Sequence, residues 1–435
     1  MIGDPIRAAC VSFREASAYG SITGPGRSLW AKGILAAFFW AVLASLCFAA
    51  GADKAQFVLH KTDGTDAAGK LDELESDWSL RLGGDHPTRA GVDDWATLRR
   101  LNVPLPSLSF QGEQLLFANG DRLAAKVLET AGGRLGFQLE SAPNKPLQVS
   151  LAALSLIWMK PPENLESLEC WRWQRATEKR PRDKVWLANG DEAEGILKAI
   201  DAGKVLLEVN HKTLEIRRDQ VTVIGLSTEL AALLRPKTPY ACAVMKNGTR
   251  LSLSKAMCSD GMNVSATTLF GEPVSIPLDE ILALYLYQAR AVYLSDVKPG
   301  EYDFASYLSG SRWGYVKDGC VLGHDIYLDG SMFSKGLGMH SRSRLTYDLR
   351  GNYRRFEALI GLDEKSGREG TAHIKILVDG KPKDLGRSGE LTGLSKPYFV
   401  SMELSGAKKL TLIVDFGKRG SVQSHVDWAD ARLIK

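Results

Sequence analysis

The last third of the chain is rich in side chains that can bind a polyhydroxylated ligand. They are Trp313, Tyr315, Tyr327, Tyr353, Trp428, His340, His425, Asp363, Arg342 and Asp427. An aromatic ring can lie against the apolar C–H face of a pyranose, while charged or amide groups bond its hydroxyls, best in a bidentate manner. Trp313, His425 and Asp427 lie in or beside loop-like stretches and are the first choices as carbohydrate contacts. Structural duties compete with that role. Trp428 sits in a strand-like run and also reads as core, and His340 follows a glycine-rich turn and also reads as a hydrogen-bonded structural imidazole. Asp363 and Asp427 suit turn caps or the oxygen ligands of a structural calcium. The polar loops 363–371 and 418–425 are the expected variable edges, since loops carry function more often than sheet walls do.

Signatures of catalysis do not accompany these residues. The sequence has no HExxH, no GxSxG, no Walker loop and no GxGxxG opening a helix. Gly336-Leu337-Gly338 precedes Met339-His340 with no helical pattern, so it reads as a turn at a strand edge. A dispersed carboxylate pair for glycoside cleavage leaves no spacing signature, and nothing here points to one. With 7 histidines a multi-histidine metal centre is not expected, and no catalytic residue or cofactor is assigned. Of the 6 cysteines, Cys170, Cys242, Cys258 and Cys320 follow the N-terminal segment, and none forms a CxxC pair or a Cys/His set of zinc spacing. Cys242 and Cys258 are near enough in sequence to pair; buried thiols are the other reading.

The elements carrying the candidate site read as strands. Ile374, Ile376 and Val378 alternate with His373, Lys375 and Leu377, and Val400-Met402-Leu404, Leu410-Leu412-Val414 and Leu345-Tyr347-Leu349 follow the same period of two. Asp329-Gly330, Arg350-Gly351-Asn352, Asp379-Gly380 and Phe416-Gly417 break these runs with turn-forming residues. Short strands between such turns favour a sandwich or barrel.

An ordered series of blocks goes further. Tyr293-Leu294-Ser295-Asp296 is followed by Arg312-Trp313-Gly314, then by Lys335-Gly336-Leu337-Gly338-Met339-His340-Ser341-Arg342-Ser343. Tyr347-Asp348-Leu349, Gly361-Leu362-Asp363, Val378-Asp379-Gly380-Lys381 and Asp427-Trp428-Ala429-Asp430-Ala431-Arg432-Leu433 complete it. The series resembles the NPCBM family of carbohydrate-binding modules over about residues 290–435. The resemblance implies a galactose-binding-like jelly-roll β-sandwich with a binding role and no catalysis of its own. It implies a glycan partner, such as a galactose-containing one, without fixing the contact residues here.

A repeated pattern fills the middle of the chain. Leu115-Leu116-Phe117-Ala118-Asn119-Gly120-Asp121 and Val185-Trp186-Leu187-Ala188-Asn189-Gly190-Asp191 are the clearest copies. Ala243-Val244-Met245-Lys246-Asn247-Gly248-Thr249 is a third, and a fainter copy surrounds Asp63-Gly64. Asn-Gly between apolar strands predicts a type I′ hairpin turn, with positive φ at both central residues. Each copy continues through alternating runs, about five strands in all, and resembles small SH3-like or Sm-like barrels of bacterial envelope proteins. The expected division is a leader or anchor at 1–52 and repeat units at 53–112, 113–182, 183–240 and 241–290. The sandwich follows at 291–435, making the chain all-β, with three or four small barrels ahead of the sandwich. Pro104-Leu105-Pro106 reads as a linker between the first two units, and Lys160-Pro161-Pro162-Glu163 and Glu178-Lys179-Arg180-Pro181-Arg182 flank a second one.

Composition bounds the function. At 55 Lys plus Arg against 51 Asp plus Glu, the net charge of +4 is too balanced for nucleic acid as a main partner. Arg27 and Lys32 precede an uncharged apolar run at 33–52 that ends in small residues, the layout of a secretory signal or a retained membrane anchor. Together these features predict an exported periplasmic, cell-surface or extracellular glycan-binding protein with no enzymatic activity. A protein-interaction scaffold and an accessory part of a glycoside hydrolase system are the alternatives.

Overall fold

A computed structural model describes residues 56–143, 145–163, 165–307 and 312–435. The leader expected at 1–52 lies outside the described residues. Strand is the dominant element throughout, so the chain is all-β.

Four successive segments share one five-strand pattern. The first contains β1 (Gln56–Lys61), β2 (Asp66–Leu74), β3 (Leu80–Gly83), β4 (Thr88–Ala90) and β5 (Trp95–Arg100). The second contains β6 (Gln114–Phe117), β7 (Arg122–Ala131), β8 (Arg134–Leu139), β9 (Leu147–Ser150) and β10 (Leu154–Trp158). The third contains β11 (Asp183–Leu187), β12 (Glu192–Ile200), β13 (Lys204–Val209), β14 (Lys212–Arg217) and β15 (Val221–Gly225). The fourth contains β16 (Tyr240–Met245), β17 (Arg250–Met257), β18 (Asn263–Thr268), β19 (Pro273–Pro277) and β20 (Ile281–Tyr287). In each, the first strand pairs with both the second and the fifth. Each second strand shifts register against the third, as between Leu71 and Glu73 or between Leu197 and Ala199. Such a bulge increases local bending and lets one long strand serve two parts of a curled sheet.

The hairpin joining the first two strands has one geometry in all four copies, and it is not type I′. Gly64, Gly120, Gly190 and Gly248 have φ between 84° and 99°, while the Asp or Asn before each stays at negative φ. Gly120 N–H donates to Phe117 O at 3.1 Å and Phe117 N–H donates to Asp121 O at 2.9 Å, and the other three copies repeat both bonds. This is a type I turn closed by a left-handed glycine and a bulge. Asn is selected for its side chain: Asn119 Oδ1 accepts the Asp121 N–H at 3.1 Å, and Asn189, Asn247 and Asp63 do likewise for the residue two positions on.

The segments associate in pairs. β5 pairs with β20 and β10 pairs with β15, so the fifth strands of the first and fourth segments meet, as do those of the second and third. The ends of their second strands touch as well, through the Leu74–Cys258 bridge in one pair and Thr130 with Ile200 in the other. Asp121 joins the two pairs, accepting from Ser252 Oγ at 2.6 Å and from its N–H at 2.9 Å. Cys242, Cys258 and Cys320 are free thiols: Cys242 faces Leu105 and Tyr285, whereas Cys258 faces the main core, so the two cannot meet.

The stretch between the second and third segments holds a helix, α1 (Leu168–Thr177), where the sequence reads as a linker. Ser167 caps it by accepting the Cys170 N–H at 3.2 Å. Trp171 packs edge-on against Trp158 and Trp186, one from each neighbouring segment. Burial of one aromatic face therefore stabilises a segment too short for a clear helical period.

The C-terminal region is a β-sandwich. It contains β21 (Ala291–Tyr293), β22 (Glu301–Phe304), β23 (Val316–Lys317), β24 (Ile326–Leu328), β25 (Ser331–Phe333), β26 (Gly336–His340) and β27 (Ser343–Asp348). It continues with β28 (Arg355–Leu362), β29 (Thr371–Val378), β30 (Lys381–Pro382), β31 (Glu390–Thr392), β32 (Tyr398–Glu403), β33 (Lys409–Phe416) and β34 (His425–Ile434). One sheet runs β23-β26-β34-β28-β32 with β21 beside β34, and the other runs β22-β27-β33-β29-β30 with β31 beside β29. Leu337, Met339, Tyr347, Phe356, Ile360, Ile374, Leu412, Val426 and Trp428 meet between them as the core. Here Asp329-Gly330 and Asp379-Gly380 do have positive φ at both positions, as the two-residue turns between β24 and β25 and between β29 and β30 require.

The outer face of the first sheet positions everything that follows. On β34, Val426 and Trp428 point into the core, so His425 and Asp427 point outward. A bulge at Asp430 (φ 49°) shifts the alternation by one residue, so that Ala431 and Leu433 face inward and Arg432 outward. Near Arg432 the face is covered by the first segment: Glu357 Oε2 accepts from Arg432 Nε at 2.8 Å and lies 3.0 Å from His60 Nε2. Its middle is covered by the loop 319–334, which is held from behind by the second and fourth segments. Arg122 forks onto Asp325, with Nη2–Oδ1 at 2.7 Å, and Arg250 donates to Met332 O at 3.0 Å. The end bearing His340 and His425 adjoins the loops 363–371 and 418–425.

Candidate functional site

His340 and His425 are directly opposed on β26 and β34. Trp313, in the loop before β23, lies flat on His340, with ring centroids 4.6 Å apart and planes 3° from parallel. His425 approaches both, at 5.7 Å from Trp313 and 5.2 Å from His340, each at about a 50° tilt. The imidazoles are buried while the indole is half-buried. One indole face is taken by His340. Tyr302 Oη donates to the Trp313 carbonyl at 2.8 Å and anchors the loop.

The histidines are tied on their inner sides. His340 Nδ1 donates to the Ser341 carbonyl, and His425 Nδ1 stands 3.0 Å from Ser366 Oγ. Burial pushes the His340 imidazole below its usual range. Burial, with His340 and His324 nearby, pushes His425 down to about 3. Both rings are therefore neutral at physiological pH, suited to stacking and hydrogen bonding and not to charge pairing. Loops 363–371 and 418–425 border them: Asp363 N–H donates to His425 O at 2.9 Å, and Glu369 N–H donates to Gln423 Oε1 at 3.0 Å.

The remaining sequence candidates divide by depth. Trp428 is fully buried in the core. Tyr315 and Tyr353 pack against that core, and Tyr327 lies under the Lys365 ammonium at 3.7 Å. Arg342 is surface-exposed, 3.9 Å from Asp415. Asp427 has no exposed surface and does not join Trp313 and His425 at the opening. It lies one pleat deeper on β34, beneath the loop 319–334. The close approach requires glycine at 338: a Cβ there would come 2.4 Å from Gly319 O and 2.9 Å from Cys320 Cα.

Asp363 is also buried and caps the turn Glu364–Ser366, its Oδ1 accepting from Lys365 N–H at 3.0 Å. Asp363 lies beside Asp427, as well as His324 and Cys320 of the covering loop. A thiol and an imidazole among the donors do not suit calcium, which takes oxygen ligands. Sequence reasoning missed Cys320, His324 and Ser366. A Cys and a His four apart lack recognisable zinc spacing, and the partner carboxylates lie more than thirty-five residues away.

The C-terminal region is thus an antiparallel β-sandwich with an aromatic–imidazole cluster at one end. Residues 290–434, about a third of the chain, match the NPCBM/NEW2 domain family. A 112-residue stretch, 26% of the chain, is 30% identical to "Putative endo-alpha-N-acetylgalactosaminidase" of Renibacterium salmoninarum, and the match spans 7% of that protein's length. Among solved structures, CBM51 from Clostridium perfringens GH95 in complex with methyl-galactose is similar at 25% identity. That match covers 33% of this chain and 99% of the other, with a TM-score of 0.30. CBM51-2 with the INT domains of Clostridium perfringens ZmpB, in complex with GlcNAc, is similar at 23% identity, covering 42% and 37% of the two chains with a TM-score of 0.31.

Proposed function

We propose that the chain is an exported, non-catalytic glycan-binding protein of the cell envelope, with Trp313 as its stacking platform and the segments at 56–287 as its scaffold. The supporting observation is the half-buried indole fixed flat on His340 at the loop end of a β-sandwich that matches the NPCBM/NEW2 domain family. A ring held in place on one face loses little entropy when a pyranose covers the other. His425, neutral and beside the indole, shapes the rim. Export is supported by the basic, apolar and small-residue order of residues 27–52.

A sugar stacked on one ring contributes a few kcal/mol, so dissociation constants of about millimolar to micromolar are expected, raised in avidity when copies cluster on a surface. The test is a glycan array followed by calorimetry, with terminal galactose and N-acetylglucosamine in the panel. Trp313→Ala should weaken binding at least about tenfold, or roughly 1.4 kcal/mol, with the circular dichroism unchanged. Unchanged binding by the variant would move the site elsewhere. Failure of folded wild type to bind any glycan would favour the protein-scaffold reading.

A further inference from the structure

The cluster beneath the covering loop has too many acceptors and too few donors. Cys320 and His324 form an isolated antiparallel bridge, closed by Gly323 at φ 81°, and Cys320 N–H donates to His324 O at 2.8 Å. Residues opposed across such a bridge send their side chains to the same side. Sγ of Cys320, an imidazole nitrogen of His324 and a carboxylate oxygen of Asp363 all lie within 4.8 Å of one another, and all three residues are buried. His324 Nδ1 donates to the Asp325 carbonyl at 2.7 Å, which leaves the Nε2 lone pair 3.6 Å from Asp363 Oδ1. Two acceptors therefore face each other. Asp363 Oδ2 and His324 Nε2 are buried without a hydrogen-bond partner, and the buried Asp427 carboxyl lies against Asp363 and Cys320. Leaving such groups unmatched is destabilising, most of all for carboxylates.

We propose that Cys320, His324 and Asp363 bind a divalent transition-metal ion of the zinc class, with the buried Asp427 carboxyl beside them. Thiolate plus imidazole selects zinc or cobalt over calcium and magnesium. Zn–N and Zn–O bonds of about 2.0–2.1 Å at a tetrahedral angle place the two donors about 3.4 Å apart, close to the separation found here. The Nδ1–H bond to a backbone carbonyl is the outer contact that a metal-ligating histidine typically makes, and it presents Nε2 inward. A cation would bind the thiolate and carboxylate forms of these groups. All four side chains are buried, so the site is a closed, structural one. It would fasten loop 319–334 to β34, one pleat below His425.

Wild-type full-length chain, purified from zinc-supplemented medium without a metal-affinity tag, is expected to carry one zinc per chain by elemental analysis. After chelation its melting temperature should fall, and cobalt(II) should restore it with a thiolate charge-transfer band and tetrahedral visible bands. Cys320→Ala should abolish the charge-transfer band and weaken cobalt binding at least about tenfold, whereas Cys170→Ala should leave both intact. Folded wild type that takes up neither zinc nor cobalt overturns the proposal without needing any variant. Calcium uptake with no thiolate band overturns it too, as does a cobalt band that survives Cys320→Ala.

Discussion

Glu357→Gln removes the charge through which the sandwich meets the first five-strand segment. Glu357 is fully buried, bonded to Arg432 of its own sheet and facing His60 of β1. Burial alone would raise its carboxyl, but His60 and Arg432 outweigh burial and hold it at about 2, against the ordinary 4.5. At about 1.36 kcal/mol per pH unit, that drop corresponds to roughly 3 kcal/mol of stability. A buried ion pair need not exceed an apolar replacement, but removing one partner leaves Arg432 buried and uncompensated. The expected loss in the Glu357→Gln variant is about 2–3 kcal/mol near pH 5.5, because the amide retains one acceptor. The sign follows from the direction of the shift. The Glu357 contribution is fully present above about 4.5 and is lost as pH falls through about 2. His60 behaves oppositely. Burial lowers its imidazole, but the bonds to Asp66 and Glu357 win and raise it above 6.5. Its contribution is present below 6.5 and is lost as pH rises through the raised value. The joint contribution is therefore greatest between about 4.5 and 6.5. Urea denaturation at stepped pH would show the wild type losing stability below 4.5 more steeply than the variant. A variant within about 0.5 kcal/mol of wild type at about pH 5.5, with the same acid slope, would refute the reasoning.

Three further outcomes are expected. Gly338→Ala should destabilise the sandwich by about 1–3 kcal/mol, since its Cβ would meet the backbone of Gly319, Cys320 and Val321; a melting temperature equal to wild type would show that the covering loop is loosely held. Gly190→Val should cost about 1–2 kcal/mol through backbone conformation alone, because φ is 90° and nothing lies within 4 Å of the added Cβ. Chemical denaturation would measure it, and a neutral effect would mean that the turn can relax. Glycan binding measured by calorimetry should not titrate with His425, which stays neutral down to about pH 3; an affinity step near the ordinary imidazole value of 6.5 that vanishes in His425→Ala would contradict the buried, neutral ring.

Local chemistry written in the sequence includes the strand alternation at Ile374, Ile376 and Val378, the Asp379-Gly380 turn and the ordered blocks from Tyr293 to Leu433. Each depends on residues within a few positions of one another, so periodicity and turn preference suffice to read it. The Asn-Gly turns show the limit of that reading: the pair marks a hairpin, but Asn119 serves through its side-chain acceptor while only Gly120 takes positive φ. Tertiary structure decided which outward residues of β34 meet solvent and which are covered. His425, Asp427 and Arg432 all leave the same face of the sheet, yet they end beside Trp313, beneath the loop 319–334 and against Glu357 and His60 respectively. No local signal separates them, because exposure depends on what packs on the sheet from distant parts of the chain. The same holds for Cys320, His324, Asp363 and Asp427, whose meeting requires a tight turn, a glycine at 338 and two strands that pair across more than sixty residues. Period and turn type are short-range properties of a polypeptide, whereas the composition of a buried cluster is set by long-range packing.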